Sequence, residues 1–386
     1  MPVRALISNF NFHTSLGGSQ ATLLDALEAL RDIADIEILD PYCLDSFRGL
    51  AEGRGFSIRC LGPIPRHRQL YAGPGAIARL TELRRALRLI PTMVRLWQHW
   101  RRTRPTVIYC NQTKSAIAAL LFGPGDATYV YHCHDPLARG HATLHRLSKR
   151  LSIVIANSEY TREVLLSVGW PPGKVRIVEN GVDKASIRDS ADQTAQPPLP
   201  CRRGTPVFLL PHAAYAEAKG SILAVSAFGD YVEAGGPGEL WVAGLPPSSG
   251  TMAESKHLGR IQFLGYRRDL PAVMREVDVV LVPTPSGESF GRVAFEALTL
   301  GKPVVAARRG HIPRRVSEKD GVLFFEPSRP SEFVSLLWRL SKDGALRARL
   351  GAGARTFAEQ SLGMTDFRAG IQRAFSLVLP GDGGSE

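Results

Sequence analysis

The chain has 386 residues, 44% of them hydrophobic and 22% charged, which excludes a disordered polypeptide and leaves room for two domains with separate cores. Forty-eight basic against 36 acidic side chains give a net charge of +12, favouring an anionic substrate or lipid surface. No nucleic-acid recognition motif accompanies that charge, so no nucleic-acid partner is expected. Cys43, Cys60, Cys110, Cys133 and Cys201 are scattered without a CxxC pair, which argues against a disulfide framework or a structural zinc site. The opening residues MPVRALISNF lack a signal-peptide core, and no stretch reaches the ~18 apolar residues of a spanning helix. A cytoplasmic protein is expected.

In chain order, Val3 to Ser8 reads as a strand, and Leu23, Leu24, Leu27 and Leu30 mark a helix after it. Gly17 and Gly18 lie in the loop between them, where glycine lets backbone approach a ligand or simply makes a turn. From 63 to 105 ten arginines face a single acid, Glu82. Met93, Leu96, Trp97 and Trp100 are read there as one apolar helical face with a basic face opposite. Such a helix can lie on an anionic membrane surface at the inner face of the membrane, or pack inward with a solvated basic side; both readings stand. Strands are expected at Thr106 to Cys110, Thr128 to Cys133, Ile153 to Ala156 and Val175 to Val178. Alternating strand and helix patterns predict βαβ units and a parallel, Rossmann-like sheet. Alternation along YVYHCHDP puts His132 and His134 on one face, and no third ligand with metal-binding spacing is near.

Ser186 to Pro200 loses periodicity and carries three prolines, as a linker does. A strand at Pro206 to Leu210 leads into a loop containing His212 and then Lys219-Gly220 at a helix start. IQFLGY, Ile261 to Tyr266, is a further strand and loop. Val279 to Val282 reads as a buried strand followed by Thr284 to Val305, TPSGESFGRVAFEALTLGKPVV. The pattern is helical from Ser289, Gly301 stops it, and Pro303 to Ala307 is the next strand. In open α/β sheets a ligand sits at such a strand-end loop. Glu288 and Glu296, with seven residues between them, would lie roughly 12 Å apart if the whole segment were helical. That exceeds the about 5 to 9.5 Å of a glycosidase carboxylate pair. It suits two ends of one long ligand, with helix-start amides around Ser289, Phe290 and Gly291 holding a pyrophosphate between them.

GExFGxxxxEALxxGxPVV, as it stands from Gly287 to Val305, resembles the nucleotide-binding signature of the retaining glycosyltransferases of family 4 (GT4). VIANSEYTREVL and KVRIVENGVD resemble the close of that family's first domain. The resemblance implies a GT-B fold: two Rossmann-like domains, with parallel sheets, facing each other across a cleft. It implies domains at 1–185 and 206–362, a linker at 186–205, and a terminal helix within 363–386 crossing back to the first domain. It also implies that Glu288 contacts the donor sugar, Glu296 holds the ribose hydroxyls, Lys219 binds the diphosphate, and His134 faces the sugar. Gly17 and Gly18 line the donor side, and Tyr266 stacks by the base. His212 would supply part of the charge of an arginine that the family carries before its KG and this chain lacks. A second departure is Gly310-His-Ile-Pro-Arg314, where the family has GGxPE.

The expected function is transfer of a sugar from a UDP-, GDP- or ADP-linked donor to a hydroxyl of a glycan, lipid-linked or small-molecule acceptor. By the same resemblance the anomeric configuration is retained and no cofactor or metal is needed; the chain has no Asp-x-Asp. The alternatives are a sugar-nucleotide 2-epimerase, or a weakened nucleotide-sugar-binding relative acting as a partner or scaffold.

Overall fold

A computed structural model describes residues 4–10, 17–62, 76–135, 141–200, 204–214, 217–245 and 258–379. The chain divides into two compact units: Met1–Asn180 with Thr365–Glu386, and Gly181–Met364.

The first unit is built on seven strands: β1 (Ala5–Phe10), β2 (Ala34–Asp40), β3 (Ile58–Cys60), β4 (Val107–Cys110), β5 (Thr128–Cys133), β6 (Leu151–Ala156) and β7 (Val175–Ile177). All pair in parallel in the order β3-β2-β1-β4-β5-β6-β7. Central strands such as VIYC of β4 are buried along their whole length, because helices cover both faces of a parallel sheet. The terminal helix Thr365–Ser376 completes this unit. Gln372 Nε2 donates to the Ala29 carbonyl at 2.9 Å, and Phe375 meets the edge of Tyr109 at 5.5 Å between ring centroids.

The basic region forms a helix, Ala76–Thr103; residues 63–75 lie outside the described residues, as do the side chains of 76–89. Its two tryptophans do not share a face as the periodicity predicts. Met93, Leu96 and Trp100 are buried, and the Trp100 indole donates to Ser8 Oγ at 3.0 Å. Trp97 is 43% exposed, in line with exposed Ile90 and Val94, and the Arg101 guanidinium lies over its ring. At 100° per residue, positions 93, 96 and 100 make one stripe, and position 97 turns onto the next.

The second unit carries β8 (Val207–Ala214), β9 (Glu239–Leu245), β10 (Ile261–Gly265), β11 (Val279–Val282), β12 (Val304–Ala307) and β13 (Val322–Phe325). These six strands are parallel in the order β10-β9-β8-β11-β12-β13. Successive residues feed opposite cores: Val280, Val282, Val304 and Ala306 one, Val279, Leu281, Val305 and Ala307 the other.

The expected linker at 186–205 begins inside a helix. Lys184–Ala191 is a helix capped by Asp183, whose carboxylate accepts from Ser186 N at 3.0 Å. Ile187 and Ala191, one turn apart, bury the helix on this unit, a pattern too short to register as periodicity. The following segment is tied down as well. Arg267 donates to the Pro197 carbonyl at 2.6 Å, and Asp269 accepts from Gln196 N at 2.7 Å.

Candidate functional site

In the second unit the strand order reverses between β8 and β11, the position where open parallel sheets bind ligands beyond their carboxyl ends. The loops leaving β8, β11 and β12 carry the residues singled out above. After β8 a short 3-10 turn, Glu217–Lys219, runs into the helix Ser221–Glu233. Gly220 makes this possible: its φ is +76°, and a β-carbon there would stand 2.2 Å from the Pro283 carbonyl oxygen. The close approach brings Lys219 beside the loop after β11. There Lys219 Nζ donates to both carboxylate oxygens of Glu288, at 2.8 and 3.0 Å.

Glu288 is fixed from three directions. Thr284 Oγ1 donates to its Oε1 at 2.5 Å, and its backbone pairs with Gly310 in a one-residue parallel bridge. Its carbonyl also accepts from His311 N at 2.9 Å. A β-carbon on Gly310 would come within 2.6 Å of the Glu288 backbone, so glycine is required where these two loops touch. The helix therefore starts later than the sequence pattern suggests. It spans Arg292–Thr299, with left-handed Gly291 as its N-cap. Glu288 stands ahead of it, and the helical spacing to Glu296 does not apply. Glu296 projects from the helix and receives Arg292 Nε at 2.7 Å, a pair with 22% and 14% of its side chains exposed.

Ser289 is half-buried, whereas the Phe290 ring is buried and stacks on His311 at 5.5 Å. Only the backbone of Phe290 can serve a ligand. Burial, with Arg315 and Arg314 nearby, lowers the His311 pKa to about 4. Tyr266 follows β10 and is 41% exposed. His212 lies on β8, and its side chain is outside the described residues. Sequence reading missed Thr284 and Arg292. Both stand four residues from their glutamates, a spacing that could have revealed them.

In the first unit the reversal lies between β1 and β4. Gly17 is the extended N-cap of the helix Gly18–Leu30, and both glycines are exposed. His134 follows β5 directly. Its ring lies 4.1 Å from that of His132, which is fully buried and 2.7 Å from the Tyr109 hydroxyl through Nδ1. Burial lowers the His134 pKa to about 4, so the imidazole is neutral near pH 7. Among the described residues no group of three or more His, Cys, Asp or Glu is placed to hold a metal ion.

The sequence matches the family model described as Glycosyltransferase Family 4 over residues 42–186, and the model for Glycosyl transferases group 1 over residues 205–343. It is 41% identical over 105 residues to D-inositol 3-phosphate glycosyltransferase of Corynebacterium glutamicum, and 42% identical over 90 residues to that of Salinispora arenicola. These alignments cover 26% and 23% of this chain and 25% and 20% of the relatives, so the chain spans a quarter or less of their length. Over nearly its whole length the fold is similar to Anabaena HepE in complex with UDP-glucose. The TM-score is 0.73 at 20% identity, covering 97% of this chain and 100% of the other. WaaG, a glycosyltransferase involved in lipopolysaccharide biosynthesis, is similar with a TM-score of 0.68 at 14% identity, covering 97% and 100%.

Proposed function

The chain belongs to glycosyltransferase family 4, the group 1 glycosyl transferases of GT-B fold, and from that membership we propose that it moves a sugar from a nucleoside diphosphate donor to an acceptor hydroxyl with retention of configuration. The observation that carries the reading is the convergence of Lys219 and Glu288 at the β8/β11 reversal, with Glu296 on the helix beyond. Lys219, 48% exposed, is free to swing onto a diphosphate while Thr284 and Gly310 keep Glu288 in place toward the sugar. Charge grows on the diphosphate as the bond to the anomeric carbon breaks, and the Lys219 ammonium with the amides at 289–291 stabilises it. Glu296 accepts the two ribose hydroxyls. His134, just past the carboxyl end of β5, takes a sugar-binding role as a neutral hydrogen-bonding imidazole.

Support for a UDP-linked donor comes from HepE, solved with UDP and with UDP-glucose; support for a polyol or lipid-linked acceptor comes from the names of the inositol-phosphate and lipopolysaccharide relatives. The test is nucleotide release from a panel of UDP-, GDP- and ADP-sugars with candidate acceptors, followed by NMR of the product's anomeric proton. Turnover of one donor with retained configuration is expected. Binding without release, or an epimerised free sugar, would overturn the proposal.

A further inference from the structure

A pair of half-buried cysteines lies apart from the donor residues, at the carboxyl ends of β2 and β3. Asp40 and Cys60 are register partners on these strands, and Cys43 stands three residues beyond Asp40. The turn that carries Cys43 is pinned. The buried Asp40 carboxylate accepts from Tyr42 N and Leu44 N, both at 2.9 Å. Cys43 itself has φ +49°, a left-handed backbone that residues with side chains seldom adopt. Its sulfur lies 3.6 Å from the carbonyl of Asp40, the register partner of Cys60, so both sulfurs border the same end of β2. Arg48 Nη2 approaches the Cys60 sulfur to 2.6 Å. Cys110 and Cys133, by contrast, are fully buried, and Cys201 lies outside the described residues.

We propose that Cys43 and Cys60 are a site of reversible thiol oxidation, at which a hydroperoxide converts the two thiols into an intramolecular disulfide. The roles divide by environment. Burial and the neighbouring Cys60 raise the Cys43 pKa to about 11, so Cys43 stays a thiol near neutral pH. Cys60 is the sulfur with the Arg48 guanidinium against it, and on that contact it is assigned the first attack. Cys60 sulfur attacks the peroxide oxygen and the O–O bond breaks, giving a sulfenic acid and water when the oxidant is hydrogen peroxide. Cys43 sulfur then attacks the sulfenic sulfur. Its proton leaves with the hydroxyl as a second water, and the S–S bond forms. Two electrons pass from the thiols to the peroxide, and a small dithiol reverses the step by exchange.

The experiment exposes the reduced full-length protein to hydrogen peroxide with dimedone present, alkylates remaining thiols, and maps peptides by mass spectrometry. In the wild type a Cys43–Cys60 cross-linked peptide is expected, lost again on reduction. Cys43→Ser should instead carry dimedone on Cys60, and Cys60→Ser should show neither product. The proposal fails if both wild-type cysteines remain alkylatable, if the cross-link joins another cysteine, or if dimedone accumulates on Cys43. The wild-type arm needs no substitution, so a poorly folding variant does not shelter the idea.

Discussion

Replacing Glu296 by alanine separates its proposed ligand role from its visible structural one. Its partner in the structure is Arg292, four residues back on the same helix, in a partly exposed pair. Pairs of that kind stabilise by about 0.3–0.5 kcal/mol, and alanine regains a little helix propensity. The fold should therefore lose less than ~1 kcal/mol. A carboxylate accepting two ribose hydroxyls makes bonds of about 1.5–3 kcal/mol each, so binding should lose at least ~3 kcal/mol, roughly a hundredfold in Kd. Calorimetric titration with UDP, GDP and ADP identifies the nucleotide, and the variant is then compared in the same titration and in urea unfolding. A large affinity loss with little change in stability is expected. Unchanged affinity, or stability falling in step with it, would refute the assignment and leave Glu296 as the partner of Arg292 only.

EDTA should leave turnover intact, because Lys219 and the loop amides at 289–291 carry the leaving-group charge in the proposal; activity abolished by EDTA and restored by magnesium or manganese contradicts it. His311, with its pKa lowered to about 4, is taken up neutral, so the unfolded chain is protonated first as pH falls. Its contribution is complete above about pH 6.5 and is lost toward pH 4, up to about 3 kcal/mol. His311→Phe keeps an aromatic ring beside Phe290 and should flatten the stability profile from urea melts in that window; an unaltered slope removes His311 as its source. The stripe Ile90, Val94 and Trp97, flanked by Arg101 and Arg102, is exposed, and a membrane-binding role for it is open to test. Vesicles with anionic lipid should co-sediment the protein and lose it as salt shortens the Debye length from ~10 Å at 0.1 M to ~3 Å at 1 M. Trp97→Ser should weaken this, and equal, salt-insensitive binding to neutral vesicles argues against the surface.

Much of the parallel architecture was readable because buried strands such as β11 and β12 are unbroken apolar runs bounded by glycine and proline. β2 was not, since Asp35 and Glu37 interrupt its run. Glu37 finds partners only in the fold, at His99 (2.6 Å) and Arg59 (3.1 Å). The face of Trp97 was misread because a stripe at helical spacing leaves its edge positions undecided until a neighbour covers one side. In the candidate site, Glu288, Glu296 and Lys219 were singled out from local motifs. Their mutual placement was not, because Lys219 and Glu288 are 69 residues apart and meet only through the adjacency of β8 and β11. The late helix start depends on the Gly310 backbone approaching Glu288, a contact that no local pattern encodes.

The Lys219–Glu288 pair means that, on the proposed reading, nucleotide capture is an exchange of counter-ions. The incoming diphosphate displaces a carboxylate already neutralising the lysine, so the gain is the difference between two ion pairs. The displaced carboxylate, still held by Thr284, can then accept from groups the ligand brings. An intact donor brings sugar hydroxyls to it; a bare nucleoside diphosphate brings none. Selection between substrate and spent product thus arises within a single ion pair, and Glu288→Gln should narrow the affinity gap between the two. An unchanged gap in paired titrations would place that discrimination elsewhere in the chain.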